Sequence, residues 1–83
     1  MGKVTVLVTD NEYGTNIEAF DNYSLAELDL YNYVKDYWTE VSDLPIPEDH
    51  KKAIDFYFYK KQGEEQYVLQ EVSVASSIGL QTA

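Results

Sequence analysis

Residues 54–59, Ile54-Asp55-Phe56-Tyr57-Phe58-Tyr59, set Ile54, Phe56 and Phe58 in alternation with Asp55, Tyr57 and Tyr59. A period of two is the period of a β-strand, whose side chains point to opposite faces in turn. Directly downstream, Lys60-Lys61-Gln62-Gly63-Glu64 reads as a hairpin turn with Gly at the strained position. Tyr67–Val74 is then the return strand. Upstream, Leu44-Pro45-Ile46-Pro47 interrupts any helix, because two prolines cannot continue one. Pro47-Glu48-Asp49-His50 has the composition of a single helical turn.

Further upstream lies the most regular element. Ser24-Leu25-Ala26-Glu27 has the form of a capping box, in which Ser and the Glu three residues later satisfy two orphan amides. Leu30, Val34, Tyr37, Trp38 and Val41 continue from it at helical spacing, so a helix is predicted to about Val41. Lys3–Thr9 (KVTVLVT) is β-branched and apolar on both faces, as a buried strand would be. Asp10–Gly14 is a turn, and Thr15–Phe20 a second strand. The reading is α+β: a small antiparallel sheet of about four strands in the order β-β-α-β-β, with one main helix packed on it. Residues 1–75 form a single domain and residues 76–83 a flexible C-terminal tail.

The chain has 83 residues, enough for one domain with a modest core. There is no Cys, so disulfides and thiolate metal sites are excluded. No stretch has transmembrane length and the N-terminus is not a signal peptide, so a cytoplasmic location is expected, without membrane contact. The net charge is −9, and it is uneven: residues 10–49 carry eleven acids against Lys35 alone, while the remainder is nearly balanced. Such asymmetry marks an interaction surface. All six basic residues are Lys, and an acidic chain without Arg is poorly equipped to grip phosphates, so direct nucleic-acid binding is not expected.

Signals for catalysis are sparse. His50 is the single His, set in a Pro/Asp/Lys-rich loop, and four scattered glycines make no phosphate-cradling loop. Asp10-x-Glu12-x-Gly14-x-Asn16-x-Glu18 spaces oxygen side chains as a calcium loop does, but Thr15 stands where the loop needs Gly, and Gly14 offers no carboxylate. A plain acidic hairpin is the simpler reading. Neither a catalytic set, a metal nor a cofactor is expected.

The acids of the helix carry more information. Asp29, Asp36, Glu40 and Asp43 fall in one stripe roughly opposite Leu30, Val34 and Trp38, with Tyr33 beside it. Their axial steps on an unbroken helix are about 10.5, 6 and 4.5 Å, comparable to a few phosphate steps of a nucleic-acid strand. The row works against the helix. Asp36 and Glu40 repel as an i, i+4 pair, and Glu40 and Asp43 lie at the negative end of the dipole, with only Lys35 to compensate. Local choices that oppose the fold are expected at functional surfaces. With Glu12, Glu18 and Asp21 from the same half of the chain, these residues are the candidate partner-binding set.

Tyr23-Ser24-Leu25-Ala26-Glu27-Leu28, followed by the acidic helix and Ser42-Asp43-Leu44-Pro45, resembles segments of ArdA-type antirestriction proteins, over about 23 residues. The small, acidic, Cys-free chain is also similar to phage-encoded DNA mimics at large, including anti-CRISPR proteins. The resemblance implies a DNA-like acidic surface, here Asp29, Asp36, Glu40 and Asp43. The expected function is a non-catalytic inhibitor that occupies the basic nucleic-acid groove of a host defence enzyme, in the host cytoplasm. The alternative is a protein–protein adaptor that uses a tyrosine-rich sheet face carrying Tyr57 and Tyr59. Those two tyrosines have a structural reading as well, as a second layer of the core against Tyr13–Phe20.

Overall fold

A computed structural model describes residues 2–74. Two strands lead: β1 (Gly2–Asn11) and β2 (Gly14–Phe20). Helix α1 (Tyr23–Asp36), a single 3-10 turn (Trp38–Glu40) and helix α2 (His50–Lys60) follow, and β3 (Gln66–Val74) closes the sheet. The fold is α+β, as expected, with a three-stranded antiparallel sheet in the order β2-β1-β3 and two helices. Among the described residues no fourth strand forms, and residues 76–83, expected to be a tail, lie outside them.

The strand expected at 54–59 is the heart of α2. Its alternation spans only three two-residue repeats, and the same residues satisfy a helical period. Ala53, Ile54 and Tyr57 are buried, and Phe58 packs against the same core. Asp49 caps the helix, its Oδ1 accepting from the Lys52 N–H at 3.2 Å. The single helical turn expected at Pro47–His50 does not form: Pro47–Asp49 are not helical, and α2 starts at His50. The helical period wins because Ile54 and Tyr57 then face α1 together, whereas a strand would send Tyr57 away from Ile54. The Lys60–Glu64 turn does exist, with Gly63 at φ +90°, but it joins a helix to β3. β3 pairs with β1, from Asp10↔Gln66 to Gly2↔Val74.

α1 begins two residues earlier than the capping box proposes. Asn22, in an extended conformation at φ −154°, accepts from the Leu25 N–H at 2.9 Å. β2 ends at Phe20, so the chain reaches Asn22 already extended, which is the geometry an N-cap needs. Ser24 falls inside the first turn. Ala26, Leu30 and Val34 are buried, as the predicted stripe requires. The helix stops at Asp36, where Tyr37 leaves helical geometry at φ −114° and ψ 13°. The Trp38 indole N–H donates to the Leu44 carbonyl at 2.7 Å and holds the loop that follows. The Tyr31 hydroxyl donates to the Pro47 carbonyl at 3.0 Å, and its ring stacks on His50 at 4.1 Å. His50 is therefore half-buried at the start of α2, not free in a loop.

Both helices lie on one face of the sheet. Thr5, Leu7 and Thr9 of β1 point into the core with Leu30, Val34, Trp38, Ala53, Ile54 and Tyr57. Val4, Val6 and Val8 point the other way and stay half-buried, so among the described residues β1 is covered on one face, not on two. Thr5 is fully buried and its Oγ1 has no hydrogen-bond partner among the described residues. A buried hydroxyl without a partner costs about 1–3 kcal/mol. Thr5→Val keeps the shape and removes that cost, so it should raise the denaturant midpoint, with a gain of about 1 kcal/mol and an unchanged slope. A lowered midpoint would show that the hydroxyl is satisfied after all.

Candidate functional site

One end of the molecule brings together the β1–β2 turn, the C-terminal turn of α1, the 3-10 turn and the α2–β3 connection. They enclose a cleft of about 400 Å³. Glu12, Glu40, Glu64 and Glu65 line it against one cation, Lys61, with Tyr13, Tyr33 and Tyr37 as aromatic walls. Asn11 shapes the rim: its Oδ1 accepts from the Tyr13 N–H at 2.8 Å and fixes the turn.

The floor is a closed polar network. Glu65 Oε1 accepts from the Tyr33 hydroxyl at 2.6 Å and from the Tyr57 hydroxyl at 2.8 Å. Tyr33 Oη in turn accepts from the Asn11 amide at 3.2 Å. Lys61 Nζ lies 3.6 Å from Glu65 Oε2 and donates to Glu40 Oε1 at 2.6 Å. Burial, and after it the hydrogen bond to Glu65, pushes the Tyr33 phenol up to about 12. The same causes push Tyr57 higher still. The Glu40 hydrogen bond raises Lys61, which stays charged. These are groups that hold one another in place. The rim is different: Glu12 and Glu64 are exposed and have no ion-pair partner among the described residues. Tyr13 is 89% exposed and Tyr37 46%. Exposed carboxylates beside exposed aromatic faces suit an ammonium or guanidinium group, which pairs with the acid and lies over the ring.

Of the sequence-predicted residues, Glu12, Tyr33 and Glu40 meet in this cleft. Asp29 is exposed on α1 and Asp36 is its last residue; Asp43 is exposed in the loop before α2. Because α1 ends at Asp36, Glu40 and Asp43 do not continue its stripe at ideal spacing. Glu18 is exposed on β2, and Asp21 lies in the bend before α1. Glu40 is also compensated, by Lys61 and not by Lys35. Asp10 through Glu18 forms a β-hairpin in which the Asp10 carboxylate accepts from Thr15 Oγ1 at 2.7 Å and Gln66 Nε2 at 3.2 Å. Those bonds hold it below the usual carboxylate range.

Sequence reasoning missed Tyr13, Tyr37, Lys61, Glu64 and Glu65. The one local signal for them is the Lys61–Glu65 spacing of four, a pair that a hairpin reading of 60–64 conceals. Tyr57, expected on an exposed sheet face, is fully buried, and Tyr59, on the same helix, is 69% exposed. No such sheet face exists, since both residues belong to α2. No protein family, curated protein or solved structure matches this chain.

The raised phenols have a consequence at high pH. Unfolded tyrosines ionise near pH 10. The folded chain keeps Tyr33 protonated up to about 12 and Tyr57 beyond it. Stability from these two groups is therefore fully present below pH ~10 and is lost as pH rises from there through Tyr33's folded value. Phenolate absorbance followed against pH should show the latest ionisations to be those of Tyr33 and Tyr57, beyond the smaller rises of Tyr13 and Tyr67, together with loss of helical circular dichroism. In Tyr57→Phe the very last of these ionisations should disappear. Smooth titration of all eight with the fold intact would contradict the network.

Proposed function

We propose that this chain is a non-catalytic acidic inhibitor that binds the basic nucleic-acid groove of a host defence protein, its carboxylates taking the place of phosphates. The observation that carries the reading is which acids are already used. Glu27, Glu40, Asp55, Glu65 and Glu71 each have a basic side chain within 4 Å. Glu12, Glu18, Asp21, Asp29, Asp36 and Asp43 are exposed and have no ion-pair partner among the described residues. Uncompensated surface charge of one sign raises the local potential and steers a basic partner to it, with strong salt dependence. The cleft supplies a recess for one Lys or Arg of that partner, between Glu12, Glu64, Tyr13 and Tyr37. Complementary charge at such distances favours encounter and register more than raw affinity.

The antirestriction and anti-CRISPR targets suggested by the sequence define the partner class to test. Binding to basic DNA-processing enzymes should be followed with duplex DNA as competitor. Raising salt from about 0.05 to about 0.3 M should weaken binding tenfold or more, and duplex DNA should displace the chain. Replacing Asp29, Asp36 and Asp43 together by Asn should weaken binding at low salt and flatten the salt dependence. Glu40→Gln should instead lower thermal stability slightly, because its carboxylate already serves Lys61. Affinity indifferent to salt and to the triple replacement would rule the reading out.

A further inference from the structure

The even-numbered residues of β1 face away from the helices. Val8 stands between Ile17 of β2 and Val68 of β3, and Val4 is paired with Val72. Ala19 and Gln70 flank Val6. Ile17 is 68% exposed and Val68 52%, while Leu7, one residue along β1 on the covered face, is 3% exposed. Among the described residues nothing packs on this side. It holds a single charge, Asp10 at one extreme, on a chain of net charge −9. Solvent-facing sheet surfaces ordinarily carry polar residues on alternate positions. A three-stranded aliphatic patch left in water is the mark of a contact surface.

We propose that this face is the contact between two copies of the chain, packed sheet against sheet. Charge decides among occupants. An acidic chain meets its own copy favourably only through a surface almost without charge, and this face carries Asp10 alone, at one extreme. Stacked sheets lie about 10 Å apart, and each carries its helices and their acids on the outer side, a further layer of about 10 Å. The carboxylates on the two helix layers are thus separated by roughly three screening lengths or more at physiological salt, where that length is about 8 Å, while Glu18 and Glu71 on the strands face the helix side, away from the contact. An anionic bilayer has no such relief from the same nine charges. Shape agrees: β-branched side chains on two sheets of the same twist interdigitate in the aligned packing of β-sandwiches.

Area sets the strength. Three strands about 4.8 Å apart and some nine residues long present roughly 400 Å² of projected face per copy. That is about half of what each partner contributes to a stable complex, so the dimer is weak and dissociates in the micromolar range or above. The inference stands independently of the acidic-surface reading. It leaves the helix side of both copies free, so a dimer would offer two acidic surfaces back to back.

Sedimentation equilibrium of the full chain tests it, across concentrations from low micromolar to near millimolar. The mass should rise from one copy towards two, and higher salt should leave the association unchanged or strengthen it, opposite in sign to binding of a basic partner. Ile17→Lys and Val68→Lys, both at exposed positions that a folded monomer tolerates, should each stay monomeric throughout, with unchanged circular dichroism. A full chain that remains monomeric at the highest concentration overturns the proposal and leaves the face to residues 75–83 or to a different protein. A dimer that survives both replacements overturns it too, by placing the contact elsewhere.

Discussion

The Glu65 carboxylate is where the elements of this domain converge. It stands just before β3 and gathers hydroxyls from Tyr33 on α1 and Tyr57 on α2. Through Lys61 it reaches Glu40 on the 3-10 turn, and through Tyr33 it reaches Asn11 at the end of β1. A carboxylate at this depth is stable only if its lone pairs are met, and two hydroxyl donors and the nearby Lys61 ammonium meet them. The arrangement orients Tyr57, the largest fully buried side chain, so that its ring fills the space between the helices while its polar tip reaches a partner. Two helices on a three-stranded sheet make a small core, and this strut fixes how they sit.

The same network separates structural acids from available ones. Glu40 and Glu65 are committed to holding the fold, whereas Glu12 and Glu64 border the same cleft without an ion-pair partner among the described residues. Proximity to a cleft therefore does not make a carboxylate a binding group; its existing hydrogen bonds decide that. The acids that oppose local stability without compensation, such as Asp36 at the negative end of α1, are the stronger evidence for an outward function. The molecule is thus two-sided. Most of its uncompensated charge lies on α1 and in the turns and loops, and the outer face of its sheet carries only Asp10.

Part of this was legible in the residues themselves. The stripe of Leu30, Val34 and Trp38 is local and long enough for one period to exclude the other, and it is buried as expected. The β1–β2 hairpin follows from Asn11 and Gly14 between two β-branched runs, and the uneven charge is a matter of counting. Residues 54–59 were not legible. Six residues satisfy both periods, and what separates them is whether Tyr57 finds a hydroxyl partner, which depends on Glu65 in another element. The Ser24 cap was displaced for a similar reason: Asn22 and Ser24 are both competent caps, and the end of β2 selected Asn22.

The sequence by itself determined an α+β chain with a helix at its centre and its negative charge concentrated in residues 10–49, because those properties rest on local spacing and composition. Only the tertiary structure decided that Ile54–Tyr59 is helical, that Glu40 is bound to Lys61 and that one valine face of β1 is uncovered. Each of these depends on contacts between residues far apart in the chain, and a pattern read along a single strand or helix holds no information about what will pack against it.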